Sequence, residues 1–133
     1  MQKIEHIGIA VRAMDEAVET FSRLFGQPPY KTEAVESEGV ETAFFRTGTN
    51  KVELLASTDP QGPIARFVDK RGPGIHHIAF AVADIHAEIE RLSAEGFTPL
   101  SDGPTRGADG KLIIFFHPKT TGGVLIELCQ DAE

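Results

Sequence analysis

Two histidines and two glutamates stand at matching places along the chain. His6 opens the run HIGIAV, and His77 opens HIAFAV 71 residues further on. Glu53 in VELL and Glu127 in IELC repeat with an offset of 74. Imidazole nitrogens and carboxylate oxygens without a thiolate form a mixed N/O donor set. Such a set suits Co²⁺, Mn²⁺, Ni²⁺, Fe²⁺ or Zn²⁺ better than soft Cu⁺. Each glutamate interrupts an apolar run, and burying it unpaired costs on the order of several kcal/mol, which a bound cation offsets. Taken singly, a histidine near a strand end or a glutamate on a half-exposed strand is ordinary. Four of them at matching positions of an internal repeat point to one divalent metal site.

The elements that must position these residues also repeat. Ile7, Ile9 and Val11 alternate with His6, Gly8 and Ala10, as Ile78, Phe80 and Val82 alternate with His77, Ala79 and Ala81. This is the period of a strand, with small residues leaving room beside each histidine. A helical pattern follows each strand: Met14, Ala17, Val18, Phe21 and Leu24 first, then Ile85, Ile89 and Leu92, with Asp84 as N-cap. Gly26 and Gly96 stand where a left-handed residue closes a helix. Further strands are expected over Val40–Arg46, Lys51–Leu55, Leu112–Phe116 and Val124–Cys129, with extra loop residues around Gly103–Gly110. Pro60–Arg71 reads as a linking helix, with Ile64, Phe67 and Val68 at helical spacing and Gly72-Pro73-Gly74 as its stop. Two βαβββ modules result.

The remaining histidines carry less chemistry. His76 points to the face opposite His77 and is read as structural, and His86 falls on a helix surface. His117, in FHPK, sits in a loop open to ligand contact.

Composition narrows the function classes. The 133 residues are 41% hydrophobic and 25% charged, enough for one compact domain and too apolar for a disordered chain. A formal charge of −7 repels phosphate backbones, so nucleic acid is excluded as a partner and any phosphorylated ligand needs a local basic cluster. No apolar stretch approaches the roughly eighteen residues of a membrane span, and the start MQKIEHIGIA lacks a signal-peptide layout. The lone Cys129 fits a small buried hydrophobe. A cytoplasmic protein without a membrane partner is expected.

The segments IEHIGIAV, VELLAS, GIHHIAFAV and above all IIFFHPKTTGGVLIELCQ resemble the methylmalonyl-CoA epimerases of the vicinal oxygen chelate superfamily. The resemblance runs over nearly the whole chain. It implies an α+β fold in which two tandem βαβββ modules form a curled mixed sheet around a metal site, the glyoxalase-like fold. It also implies one domain over 1–133, with module one at about 3–58, the linking helix at about 60–72 and module two at about 74–130, and a homodimer. The implied ligands are His6, Glu53, His77 and Glu127, with Co²⁺ foremost among the ions.

The implied reaction interconverts (2R)- and (2S)-methylmalonyl-CoA through an enolate, with a proton carrier on each face. The resemblance of GVETAFF to an epimerase strand assigns Glu41 to one face, with Ala43 and Phe45 as its neighbours by alternation, and Glu127 serves the other. Arg106, Lys111 and Lys119, in loops at the second module's open end, are the expected contacts of the coenzyme A thioester, with His117. Two rival readings share this fold: a glyoxalase I-type isomerase with the same His/Glu/His/Glu set, and a non-enzymatic small-molecule-binding protein. An extradiol dioxygenase ranks behind them, because Glu53 would fill a position that oxygen needs.

Overall fold

A computed structural model describes residues 1–132. The chain divides into two compact units, one of His6–His76 and one that joins Met1–Glu5 to His77 onward. The first strand, β1 (Lys3–Ala10), begins in one unit and ends in the other.

In the His6–His76 unit, β1 is followed by α1 (Met14–Phe25), β2 (Lys31–Val35), β3 (Val40–Thr47), β4 (Asn50–Ser57) and α2 (Pro63–Arg71). The strand order is β2-β3-β4-β1. β1 and β4 run parallel, and the other pairings are antiparallel. Ile9, Val11, Val52, Leu54, Ala56, Ala43 and Phe45 share one face of this sheet. Helix α1 covers that face with Met14, Ala17, Val18, Phe21 and Phe25. Phe21, Phe25 and Phe45 form a triangle of tilted rings with centroids 5.2–6.4 Å apart. Such aromatic pairs add about 0.5–1.5 kcal/mol each beyond the area they bury. Leu24, expected on the apolar stripe, is 69% exposed. Phe25 takes its place, one residue nearer the Gly26 cap, whose φ of 74° closes the helix.

The other face carries Ala10, Leu55, Val40 and Val35, over which α2 lays Ile64, Phe67 and Val68. Helix α2 begins at Pro63, three residues later than the sequence suggests, with the proline at its first turn, where no backbone N–H is needed. His76 sets its ring 4.9 Å from that of Phe67, the packing role expected of it.

The other unit begins at His77 within β5 (Gly74–Ala81), and α3 (Ile85–Ala94), β6 (Thr105–Arg106), β7 (Lys111–Phe116) and β8 (Ile126–Asp131) follow in order, with β5-β8-β7-β6 as the sheet order. The Asp84 carboxylate accepts the Ala87 N–H and caps α3. Val82, Ile85, Leu92, Ile114, Phe116 and Leu128 form the core under that helix. The expected loop around Gly103–Gly110 holds the two-residue β6 and a 3₁₀ turn at Ala108–Gly110. Both units thus show the βαβββ order that the repeat suggests. Among the described residues no helix is long and apolar enough to cross a membrane.

Candidate metal centre

Each unit holds one buried histidine–glutamate pair, built the same way. In the first, Gly8 of β1 lies opposite Glu53 of β4, so His6, two residues back, stands diagonal to the carboxylate on the same face. His6 Nδ1 lies 3.2 Å from Glu53 Oε2, and the two residues are 4% and 5% exposed. In the second, Ala79 of β5 lies opposite Glu127 of β8, and His77 Nε2 is 2.8 Å from Glu127 Oε1. Both residues of this pair are 4% exposed.

The flanking positions match as well. Phe44 faces Glu53 across β3–β4, and Phe115 faces Glu127 across β7–β8. The Phe115 ring meets the His77 ring edge-on at 5.3 Å. Each glutamate therefore has a small residue on its parallel neighbour and a phenylalanine on its antiparallel one. The small residue gives the imidazole room beside the carboxylate. Buried imidazole nitrogens beside carboxylate oxygens, with no lysine or arginine in the pair, fit a divalent cation of intermediate hardness.

The remaining expected site residues are placed less uniformly. Glu41 is exposed, and the β3–β4 register sets it opposite Ala56, on the face that α1 covers with Ala43 and Phe45. Glu53 is opposite Phe44, so the face it shares on β3 is that of Val40, Thr42 and Phe44. As an acid/base at the metal site Glu41 is expected on the sheet face of Glu53, and the register sets it on the other face. Alternation groups Glu41 with Ala43 and Phe45 as read, but that group is turned to the helix.

Arg106 is exposed in β6 rather than in a loop. It lies opposite Leu112, which packs in the core under α3, so it stands on the face away from Glu127. Lys111 is the first residue of β7; its ammonium ion-pairs with Asp131 and lies 4.0 Å from the carboxylate of buried Glu5. Those partners match its charge, which counts against its expected use on a ligand phosphate. Lys119 is exposed on the 3₁₀ turn Pro118–Thr120. His117 Nδ1 accepts the Lys119 N–H at 3.1 Å, which in the neutral ring leaves the proton on Nε2 as a donor.

Two residues on the Glu53 face were missed by the sequence reading. Thr42 is fully buried, and its Oγ1 has no hydrogen-bond partner. Glu33 of β2 lies opposite Thr42, half-buried, with its Oε1 3.4 Å from Lys31 Nζ. The alternation of Lys31, Glu33 and Val35 was the available signal. A cleft of about 340 Å³ opens beyond the ends of β1 and β4, lined by Val11, Arg12, Ser57, Asp59, Ile64 and Asp69 among others. Neither His6 nor Glu53 lines it, so its volume says nothing of their chemistry.

Residues 5–115 match the family model described as the glyoxalase/bleomycin resistance protein/dioxygenase superfamily. The chain belongs to that superfamily. Among curated relatives in it, the mitochondrial methylmalonyl-CoA epimerase of Dictyostelium discoideum is 35% identical over 95% of this chain and 76% of its own length. The ethylmalonyl-CoA/methylmalonyl-CoA epimerase of Cereibacter sphaeroides is 35% identical over 96% of this chain and 97% of its own. A solved structure of a Streptomyces coelicolor methylmalonyl-CoA epimerase variant, in complex with 2-nitronate-propionyl-CoA, superposes with a TM-score of 0.93 at 35% identity. That match covers 100% of this chain and 99% of the other. The fold is therefore the superfamily's α+β glyoxalase fold.

Proposed function

We infer that the chain is a methylmalonyl-CoA epimerase that uses one divalent cation. The observation that carries the reading is the repeated buried pair, His6 with Glu53 and His77 with Glu127, in a chain about 35% identical to named epimerases over nearly its full length. These four side chains would hold the ion, with Co²⁺ the foremost choice and Mn²⁺, Ni²⁺, Zn²⁺ or Fe²⁺ satisfying the same donor preference. When bound, the cation supplies the positive charge that favours an enolate.

The protein's own groups must do the rest. The proton between the thioester and the carboxylate is acidic only while the resulting negative charge is held, so substrate has to be oriented with that carbon against a carboxylate. Glu127 serves one face. A coenzyme A tail brings several negative charges to a protein of formal charge −7, and Lys119 is the exposed cation closest in sequence to the end of β7. The assembly is a homodimer in the cytoplasm, which sedimentation and fractionation test.

The test of the reaction is NMR of (2S)- and (2R)-methylmalonyl-CoA with the protein and Co²⁺ in D₂O. Interconversion with deuterium uptake at the α-carbon is expected, and inertness toward both epimers rejects the reading. Ethylmalonyl-CoA in the same tube ranks the acyl groups. A glyoxalase I-type activity is the second reading, because a His/Glu/His/Glu set serves it equally. Assaying both substrates on one metal-loaded preparation separates the two.

A further inference from the structure

With Glu41 turned to α1, the epimerase reading lacks a proton carrier for the face that Glu127 does not serve. We propose that Glu33 is that acid/base; the assignment rests on the epimerase reading.

The register of two strand pairs places it. Glu33 is opposite Thr42, and Lys31 is opposite Phe44, across β2–β3. Phe44 is opposite Glu53 across β3–β4. Opposed residues in a sheet project from the same face, so Glu33, Thr42, Phe44 and Glu53 share one. Two strand spacings and a two-residue offset along β4 separate the backbones of Glu33 and Glu53, roughly 12 Å on the diagonal.

The immediate surroundings agree. Glu33 is half-buried, with a side chain 31% exposed, so it is accessible without being fully solvated. Its Lys31 partner is 40% exposed, and an exposed pair of this kind costs little to part. Thr42 sets an unpartnered buried hydroxyl beside it, a group that a ligand oxygen would satisfy.

The second unit gives an internal control. The position there that corresponds to Glu33 is Thr105, opposite Ile113, and it has no carboxylate. A group present in one unit only serves the reaction rather than the duplicated ion site.

In the step assigned to it, the Glu33 carboxylate takes the α-proton. The C–H bond breaks, an O–H bond forms, and the electron pair is delocalised onto the thioester oxygen. A proton returned to the opposite face of that carbon completes the inversion, with no net redox change.

The test is Glu33→Gln in the metal-loaded full chain. Metal content, epimerisation rate, deuterium uptake from each epimer and the pH profile of kcat are read on one preparation. Expected are unchanged metal content, a fall of about 10²–10⁴ in kcat, a pH profile of kcat that differs from wild type, and α-proton exchange that persists from one epimer alone. Glu33→Asp, which keeps the carboxylate and shortens its reach, should recover part of the rate. Epimerisation by Glu33→Gln within a few-fold of wild type overturns the assignment, as does loss of metal alongside activity. A wild-type chain inert toward both epimers overturns the epimerase reading and this assignment with it, whereas an active wild type with an equally active Glu33→Gln overturns the assignment alone.

Discussion

The two βαβββ units agree at one set of positions and part at the next. His6, Gly8, Glu53 and Phe44 correspond one for one with His77, Ala79, Glu127 and Phe115, down to the register that sets the small residue opposite the carboxylate. Two residues back along β3 and β7, and on the strand beyond them, the likeness stops. Thr42 and Glu33 in the first unit become Ile113 and Thr105 in the second, and β2 (Lys31–Val35) shrinks to the two residues of β6. On the proposed function, the positions the units share are those that would hold the ion, and the positions where they part are those that would meet the unsymmetrical substrate.

The largest effect should come from breaking the shared part. His77→Ala removes one imidazole from a buried pair and strands Glu127 in a site only 4% exposed. Metal content and epimerisation should both fall to background, and His6→Ala should do the same if the units contribute equally. Full turnover by either variant, or by rigorously chelated wild type, would show that the pairs are structural. Glu53→Gln sharpens the comparison, because it keeps an oxygen donor and removes one negative charge. Weaker metal binding with recovery of turnover in excess metal is expected, measured by metal titration of activity. If the fully metallated variant stays dead, Glu53 does more than hold the ion.

How much of this was legible in the sequence depends on which neighbour a residue answers to. The histidine strands, both first helices, the Asp84 cap and the four buried donors announce themselves through local periodicity and repetition. Glu41 did not, for a specific reason: Val40, Thr42, Ala43, Phe44 and Phe45 are all buried, so β3 carries apolar residues on both faces. Alternation sorts such a strand into two sets and cannot say which set faces the site. Only its register with β4 does. The strand β2 was overlooked because KTEAV has no large apolar residue, and its strand signal is carried by polar residues of one parity. The pairing of Lys111 to Asp131 across β7–β8 and its proximity to Glu5 were not legible because they are long-range facts.

A smaller effect, of opposite sign, is expected at Thr42. A fully buried hydroxyl with no partner costs about 1–3 kcal/mol relative to a satisfied one. Thr42→Val replaces it with a methyl of similar size, so the ligand-free protein should unfold at equal or higher denaturant concentration than wild type, while KM for methylmalonyl-CoA rises. Ile113, the apolar residue at the corresponding place, shows what this position is when no ligand has to be met. A clear loss of stability in Thr42→Val would mean that the hydroxyl is satisfied in solution, and an unchanged KM would remove it from the ligand's surroundings.

The smallest effect is expected at Glu41, and its smallness is informative. The side chain is exposed beside α1, on the face of Ala43 and Phe45, and the sheet backbone stands between it and Glu53. A carboxylate reaches about 5 Å from its backbone at most, which is little more than one strand spacing, and it cannot pass through the hydrogen-bonded sheet to act on the other face. Glu41→Gln should therefore leave metal content unchanged, epimerisation within about twofold of wild type, and stability within about 0.5 kcal/mol, as for an ordinary surface substitution. Made alongside Glu33→Gln, it forms a matched pair: the same chemical change at two carboxylates of the same sheet, one on each face. A large loss at Glu33 with none at Glu41 follows from the β2–β3–β4 register. The reverse result would mean that β3 is turned over relative to β4, and every side-chain assignment on that strand, Thr42 included, would have to move to the other face.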